Sequence, residues 1–203
     1  KELMEKADEE TVARVNAYAD KLRAAGVTVE EISLNIFDVA NTAWQILMTA
    51  ETCNNVSRYD GVKFGHRAAE YKNIDELYVN TRTEGFNFLT KAVILYGSDV
   101  LSKNRYEDCY GKSLKVRRVI AEKFAKLMES YDAVLTPVCS KSSYTAYDIS
   151  EAFQKVFEES VFTAVANLIG VPALTSGGVQ LMGKAFSESV LLSLAGSAER
   201  AGE

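Results

Sequence analysis
Hydrophobic residues recur at helical spacing through most of this chain and gather into short runs near its end. Val12, Val15, Ala19 and Leu22 form an apolar stripe opposite a face of Glu, Lys and Arg, which predicts a helix over residues 1–25 ended by Gly26. Residues 27–34 alternate, with one slip at Glu30-Glu31, and predict a strand. A second helix is predicted over 37–56, with Val39, Ala40, Ala43, Trp44, Leu47 and Ala50 on one side. The helical pattern then breaks across Ser57–Gly65, where Asp60-Gly61 signals a turn and an Arg58–Asp60 ion pair is expected to pin the loop.

Asn73, with Glu76 three residues on, reads as a capping box opening a helix that Gly85 stops, with Leu77 and Tyr78 on its buried face. Residues 86–96 predict an apolar helix ending at Gly97, and Ser102 is expected to cap the longest helix, reaching about Tyr131. A short buried strand is predicted over 132–137, and its place after a long helix suggests a parallel α/β crossover. A polar loop over 138–147 and one continuous helix over 149–169 are expected next. Gly170 sits where a helix C′ glycine belongs, and Pro172 forbids continuation. Ala173–Thr175 and Val179–Met182 read as buried strands; the Ser176-Gly177-Gly178 link between them reads as a tight turn, with an anion-binding loop as the alternative. Ser187 is expected to cap the last helix, with Phe186 and Leu191 as a hydrophobic staple. These elements predict an α/β fold, a mixed β-sheet layered by helices, within a single partial domain over residues 1–203.

Composition narrows the function. A hydrophobic share of 47% over 203 residues supports a sizeable core. A net charge of −5 argues against a dedicated nucleic-acid binder. It leaves room for the basic face of Lys112, Lys115, Arg117, Arg118, Lys123 and Lys126, read either as a solvated surface or as a contact for phosphate or an acidic partner. Three widely spaced cysteines read as reduced thiols, which with no visible signal peptide places the chain in the cytoplasm. No apolar run is long enough to cross a membrane. His66 is the single histidine and reads as an exposed loop residue, so neither a histidine-based triad nor a metal site is expected. The chain has no Gly-x-Ser-x-Gly elbow, P-loop or dinucleotide glycine pattern.

Several segments, in order, resemble the C-terminal half of the amidase signature family. They are Ser57-Arg-Tyr-Asp-Gly-Val-Lys-Phe-Gly65, Thr81-Arg-Thr-Glu-Gly-Phe86, Lys115-Val-Arg-Arg118, Tyr131-Asp-Ala-Val-Leu-Thr-Pro137, Phe162-Thr163 with Ala166-Asn-Leu-Ile-Gly-Val-Pro-Ala173, and Gly178-Val-Gln-Leu-Met-Gly-Lys184. The Arg-Tyr-Asp-Gly and Arg-Thr-Glu-Gly-Phe pair is most similar to the A-type subunits of glutamyl-tRNA(Gln) amidotransferases within that family. The resemblance implies release of ammonia from glutamine for converting Glu-tRNA(Gln) to Gln-tRNA(Gln). It also implies B- and C-type partner subunits, aminoacyl-tRNA reached through the complex, and no cofactor in this chain, ATP and Mg being used by a partner subunit.

The resemblance further implies a serine nucleophile, a second serine and a lysine base, carried on a glycine- and serine-rich segment that this sequence does not contain. No catalytic residue is therefore carried over. Aligned without gaps, the family's substrate-holding aromatic, arginine and aspartate fall at Trp44, Val93 and Ser160, with Glu158 and Glu159 beside the last. The family also usually has a longer link between Ser176 and Gly177. Trp44, Arg58, Asp60, Arg82 and Glu84 are singled out as substrate-binding or loop-pinning groups. For Trp44 the alternative is a plain core anchor. Two alternative functions remain: a non-catalytic binding or assembly domain with a diverged half-fold, and an amidase acting on small amides. A half-domain with open sheet edges is also expected to self-associate or bind a partner.

Overall fold
A computed structural model describes residues 1–141 and 149–201. They fall into two compact units, one of residues 1–44, 115–141 and 154–201, the other of 45–114 and 149–153. The predicted loop over 138–147 lies mostly outside the described residues.

The first unit is built on a three-stranded sheet of order β1-β3-β2, from β1 (Ala133–Pro137), β2 (Ala173–Ser176) and β3 (Val179–Gly183). The central strand β3 is buried along its whole length, as a continuous apolar run requires when both faces are covered. One face packs on two helices, α1 (Glu9–Ala24) and α8 (Glu188–Arg200). Val15, Tyr18 and Leu22 meet Val179, Leu181, Leu191 and Ala195 there. Gln180 is the polar exception on β3, and its amide donates to Thr136 Oγ1 (3.2 Å) and Phe162 O (3.1 Å). Asp8 caps α1 by accepting from Thr11 N, so the predicted first helix starts at Glu9 and a separate 3₁₀ turn (Met4–Lys6) precedes it.

Several expectations are overturned here. Both strand pairs are antiparallel, so among the described residues there is no parallel crossover. Strand β2 is an edge strand, alternately exposed and half-buried, where a buried strand is predicted. Residues 27–34 join no sheet; side chains bond their carbonyls instead, with Arg23 reaching Val29 O (3.4 Å) and Lys123 reaching Leu34 O. The predicted helix over 149–169 is broken into α6 (Ile149–Glu159), a 3₁₀ turn (Ser160–Phe162) and α7 (Ala164–Ile169). The Ser160 hydroxyl lies 2.7 Å from Phe157 O, and Thr163 N bonds Ser160 O, which tightens the turn at this point. Ser187 gives α8 no side-chain cap, because its hydroxyl donates to Lys184 O. Phe186 has φ 62° and is 95% exposed, so the predicted staple does not form.

The tight turn at the hairpin tip holds. Gly177 and Gly178 have φ of 58° and 78°, the signature of a two-residue type I′ turn, and the β2–β3 register runs unbroken to Ser176↔Val179. The link is a closed hairpin seated on α1: a Cβ at Gly178 would lie 2.7 Å from Arg14 Cδ.

The second unit contains most of α2 (Phe37–Val56), then α3 (Ile74–Gly85) and α4 (Phe88–Val100). Helix α2 has the predicted bounds. Asn73 Oδ1 caps α3 by accepting from Glu76 N (2.9 Å), while the Glu76 carboxylate reaches back to Lys72 N rather than to Asn73. Tyr78, predicted on the buried face of α3, is 39% exposed. Helix α4 starts later than predicted because Asn87 caps it, and it runs through Gly97 rather than ending there. After it, a π turn (Glu107–Gly111) stands where the longest helix is predicted, and α5 (Lys112–Leu127) begins only beyond it.

Candidate functional site
The two most distinctive motifs, Arg58-Tyr-Asp-Gly61 and Thr81-Arg-Thr-Glu-Gly-Phe86, fold against each other in the second unit. Asp60 Oδ1 accepts from Val62 N (2.8 Å) and Lys63 N (3.3 Å), making a local turn. Those two backbone N–H groups, Val62 first, hold the Asp60 carboxyl below its ordinary range. Gly61 follows with φ 80°, and a Cβ there would meet Thr81 Oγ1 at 2.5 Å, so only glycine lets the loop approach α3 this closely. Thr81 is buried, and its hydroxyl oxygen accepts from Ala68 N (3.0 Å).

Arg82 ties the loop to the end of α2. Its Nη1 donates to Val56 O (3.3 Å) and Tyr59 O (3.2 Å), and the guanidinium stands 4.9 Å over the Phe86 ring. A cation at these carbonyls complements the negative end of α2. Glu84 pairs instead with His66, Oε2 to Nε2 at 2.7 Å, both half exposed. The expected Arg58–Asp60 ion pair does not form: Arg58 turns back to Asn55, reaching its O at 3.0 Å and Oδ1 at 3.4 Å. Asp60 satisfies itself on backbone N–H groups, which leaves that carboxylate no need of the arginine.

Asp60, Arg82 and Glu84 thus each hold a different stretch of one loop, Asp60 its turn, Arg82 its start at Val56 and Tyr59 and Glu84 its end at His66, and together they act as a loop clamp, while Arg58 bonds Asn55 at the end of α2. The cluster holds a loop in place; among the described residues it presents no nucleophile beside the His66–Glu84 pair. Sequence reasoning missed Thr81 and the His66 partnership. Thr81 stood inside a recognised motif, whereas nothing in spacing links His66 to Glu84. Trp44 belongs to the first unit and is half-buried on α2. Val93 is half-buried on α4.

Ser160 is buried in the first unit, with its hydroxyl 2.9 Å from Asn41 Oδ1, while Asn41 Nδ2 donates to Phe157 O (3.1 Å). Its neighbour Glu159 places a carboxylate on the loop after β1, accepting from Ser140 N (3.0 Å) and from the Ser140 hydroxyl.

The sequence profile described as Amidase matches residues 1–192. The chain belongs to the amidase family. Among curated relatives, the A-type subunit of the glutamyl-tRNA(Gln) amidotransferase of Fusobacterium nucleatum is 36% identical over 188 residues, 88% of this chain and 38% of that protein. Its counterpart in Granulibacter bethesdensis is also 36% identical, over 90% of this chain and 39% of its own length. This amidase chain therefore spans about two-fifths of the relatives it matches. Two solved structures share its fold. The A-type glutamyl-tRNA(Gln) amidotransferase subunit of Thermotoga maritima superposes with a TM-score of 0.60 at 24% identity, over 98% of this chain and 41% of that one. A bacterial aryl acylamidase of the amidase signature family gives 0.69 at 17% identity, over 96% and 41%. Both neighbours bear out the α/β, amidase-signature fold read from the sequence.

Proposed function
We propose that this chain is the C-terminal portion of the ammonia-releasing A-type subunit of a glutamyl-tRNA(Gln) amidotransferase, a single partial domain completed by a glycine- and serine-rich catalytic segment. The observation that carries this reading is the collinear likeness to A-type subunits along nearly the whole chain. The loop clamp supports it, because the motifs that set A-type subunits apart form one physical unit here. In this reading the serine–serine–lysine segment attacks the glutamine amide. Arg58, Asp60, Arg82 and Glu84 brace the substrate-binding loop of the second unit, Arg82 by fixing it to the end of α2, and Trp44 is the substrate-binding candidate of the first unit. Ammonia passes to a B-type subunit that activates Glu-tRNA(Gln) with ATP and Mg, with a C-type subunit in the same cytoplasmic complex.

The test is glutamine-dependent formation of Gln-tRNA(Gln) by the full reading frame together with B- and C-type subunits. Activity is expected from a polypeptide carrying the catalytic segment, and none from the 203-residue chain alone. Ammonia release by the 203-residue chain itself would overturn the reading. So would hydrolysis of simple amides by the full protein with no glutamine-dependent product on tRNA.

A further inference from the structure
In the second unit, residues 66–72 run beside α3 without joining a helix or a sheet, and side chains of α3 fasten alternate residues of that stretch. Glu84 holds the His66 ring (2.7 Å), and Thr81 Oγ1 accepts from Ala68 N (3.0 Å). Asn80 Nδ2 donates to Glu70 O (2.9 Å), and Glu76 Oε2 accepts from Lys72 N (2.8 Å). Ala68 is buried at its anchor, while Arg67, Ala69 and Tyr71 between the anchors stay exposed. The Arg67 guanidinium lies 5.5 Å over the Tyr71 ring and donates to its hydroxyl at 2.5 Å. Phe64, on the loop just before this stretch, is 56% exposed. Residues 62–72 carry Lys63, Arg67 and Lys72 against the single carboxylate of Glu70, so this stretch is basic within a chain of net charge −5.

We propose that residues 62–72 form a contact for unpaired nucleotides of the tRNA that the amidotransferase complex serves. Exposed rings set beside cations suit that occupant. Unpaired bases stack on aromatic faces and on guanidinium planes, so Phe64 and the Arg67–Tyr71 pair offer two stacking surfaces. Lys63 and Lys72, toward the two ends of the stretch, supply counter-charge for the phosphates. A duplex keeps its bases stacked within and does not offer them to the rings, so the nucleotides bound here are unpaired. An acidic protein surface would match the cations alone. The four bonds to α3 fix the Arg67–Tyr71 pair before anything binds, which lowers the ordering cost of binding. This inference rests on the functional reading above, which supplies the tRNA.

The experiment takes the full reading frame assembled with B- and C-type subunits, crosslinks it to Glu-tRNA(Gln) with ultraviolet light and maps the adducts by mass spectrometry. A nucleotide adduct is expected on the peptide that holds Phe64 and Tyr71. Tyr71→Ala is expected to raise the KM for Glu-tRNA(Gln) roughly tenfold, while tRNA-independent release of ammonia from glutamine keeps its rate. Tyr71→Phe keeps the ring and is expected to keep the KM, which separates stacking from a loss of fold. Lys63→Gln combined with Lys72→Gln is expected to flatten the slope of log affinity for the tRNA against log salt by about 1.4. Adducts confined to other peptides, with the KM of Tyr71→Ala unchanged, overturn the contact and leave the functional reading standing. Dissociation of a partner subunit from the Tyr71→Ala complex assigns this surface to a protein and also overturns the contact. An assembled complex that makes no Gln-tRNA(Gln) overturns the functional reading and this inference with it.

Discussion
Gly97 sets the separation of two helices in the second unit. A Cβ there would sit 2.1 Å from Thr49 O and 2.7 Å from Cys53 Cβ. Backbone cannot yield as a flexible side chain can, so Gly97→Ala forces α2 and α4 apart. The expected cost is about 1–3 kcal/mol, visible as a lower urea midpoint. Asp60 offers a test of a different kind. Its carboxyl titrates below the ordinary value of 3.8 because backbone N–H groups favour the charged form. The stability it contributes is present above about pH 4 and is lost as pH falls through the lowered value. Asp60→Asn keeps an acceptor oxygen but removes the charge. Its urea midpoint is expected to fall less steeply with acid than that of the unsubstituted chain, and an unchanged acid limb would refute the assignment.

At the scale of elements, a buried hydroxyl on α3, that of Thr81, ties down the backbone at Ala68, just beyond the 57–65 loop. Thr81→Val preserves shape but leaves the Ala68 N–H without its acceptor. The expected loss is about 1–3 kcal/mol, with faster hydrogen exchange at Ala68 as the direct readout. Helix ends show where sequence signals succeed. Gly170 has φ 71° and ends α7 as the glycine pattern predicts, and Asn73 caps α3 through its side chain. The same signals fail where a nearer partner competes. Ser187 bonds Lys184 O instead of capping α8, and Asn87 takes over the start of α4. The Arg58–Asp60 pair fails for the same reason, since each group finds backbone or Asn55 within a few residues.

At the scale of the whole chain, the open edge of β1 and the exposed edge strand β2 leave hydrogen-bonding backbone uncovered among the described residues. The isolated chain is therefore expected to self-associate. Light scattering should give a weight-average mass above 22.3 kDa that rises with concentration. A mass fixed at that value across the concentration range would argue that the edges are protected.

The helices of this chain, the hairpin and the amidase likeness were legible in the sequence because each rests on local periodicity, short turns or ordered motifs. The Gly177-Gly178 turn needs only neighbouring residues to specify it. Strand pairing is different, because a strand's hydrogen bonds are made to residues far along the chain. The direction of β1 against β3, the failure of residues 27–34 to join a sheet and the break at Ser160 were decided only by tertiary structure. So was the clamp: the sequence singled out Asp60, Arg82 and Glu84, but the contacts of Gly61 with Thr81 and of His66 with Glu84 arise only when the loop folds onto α3.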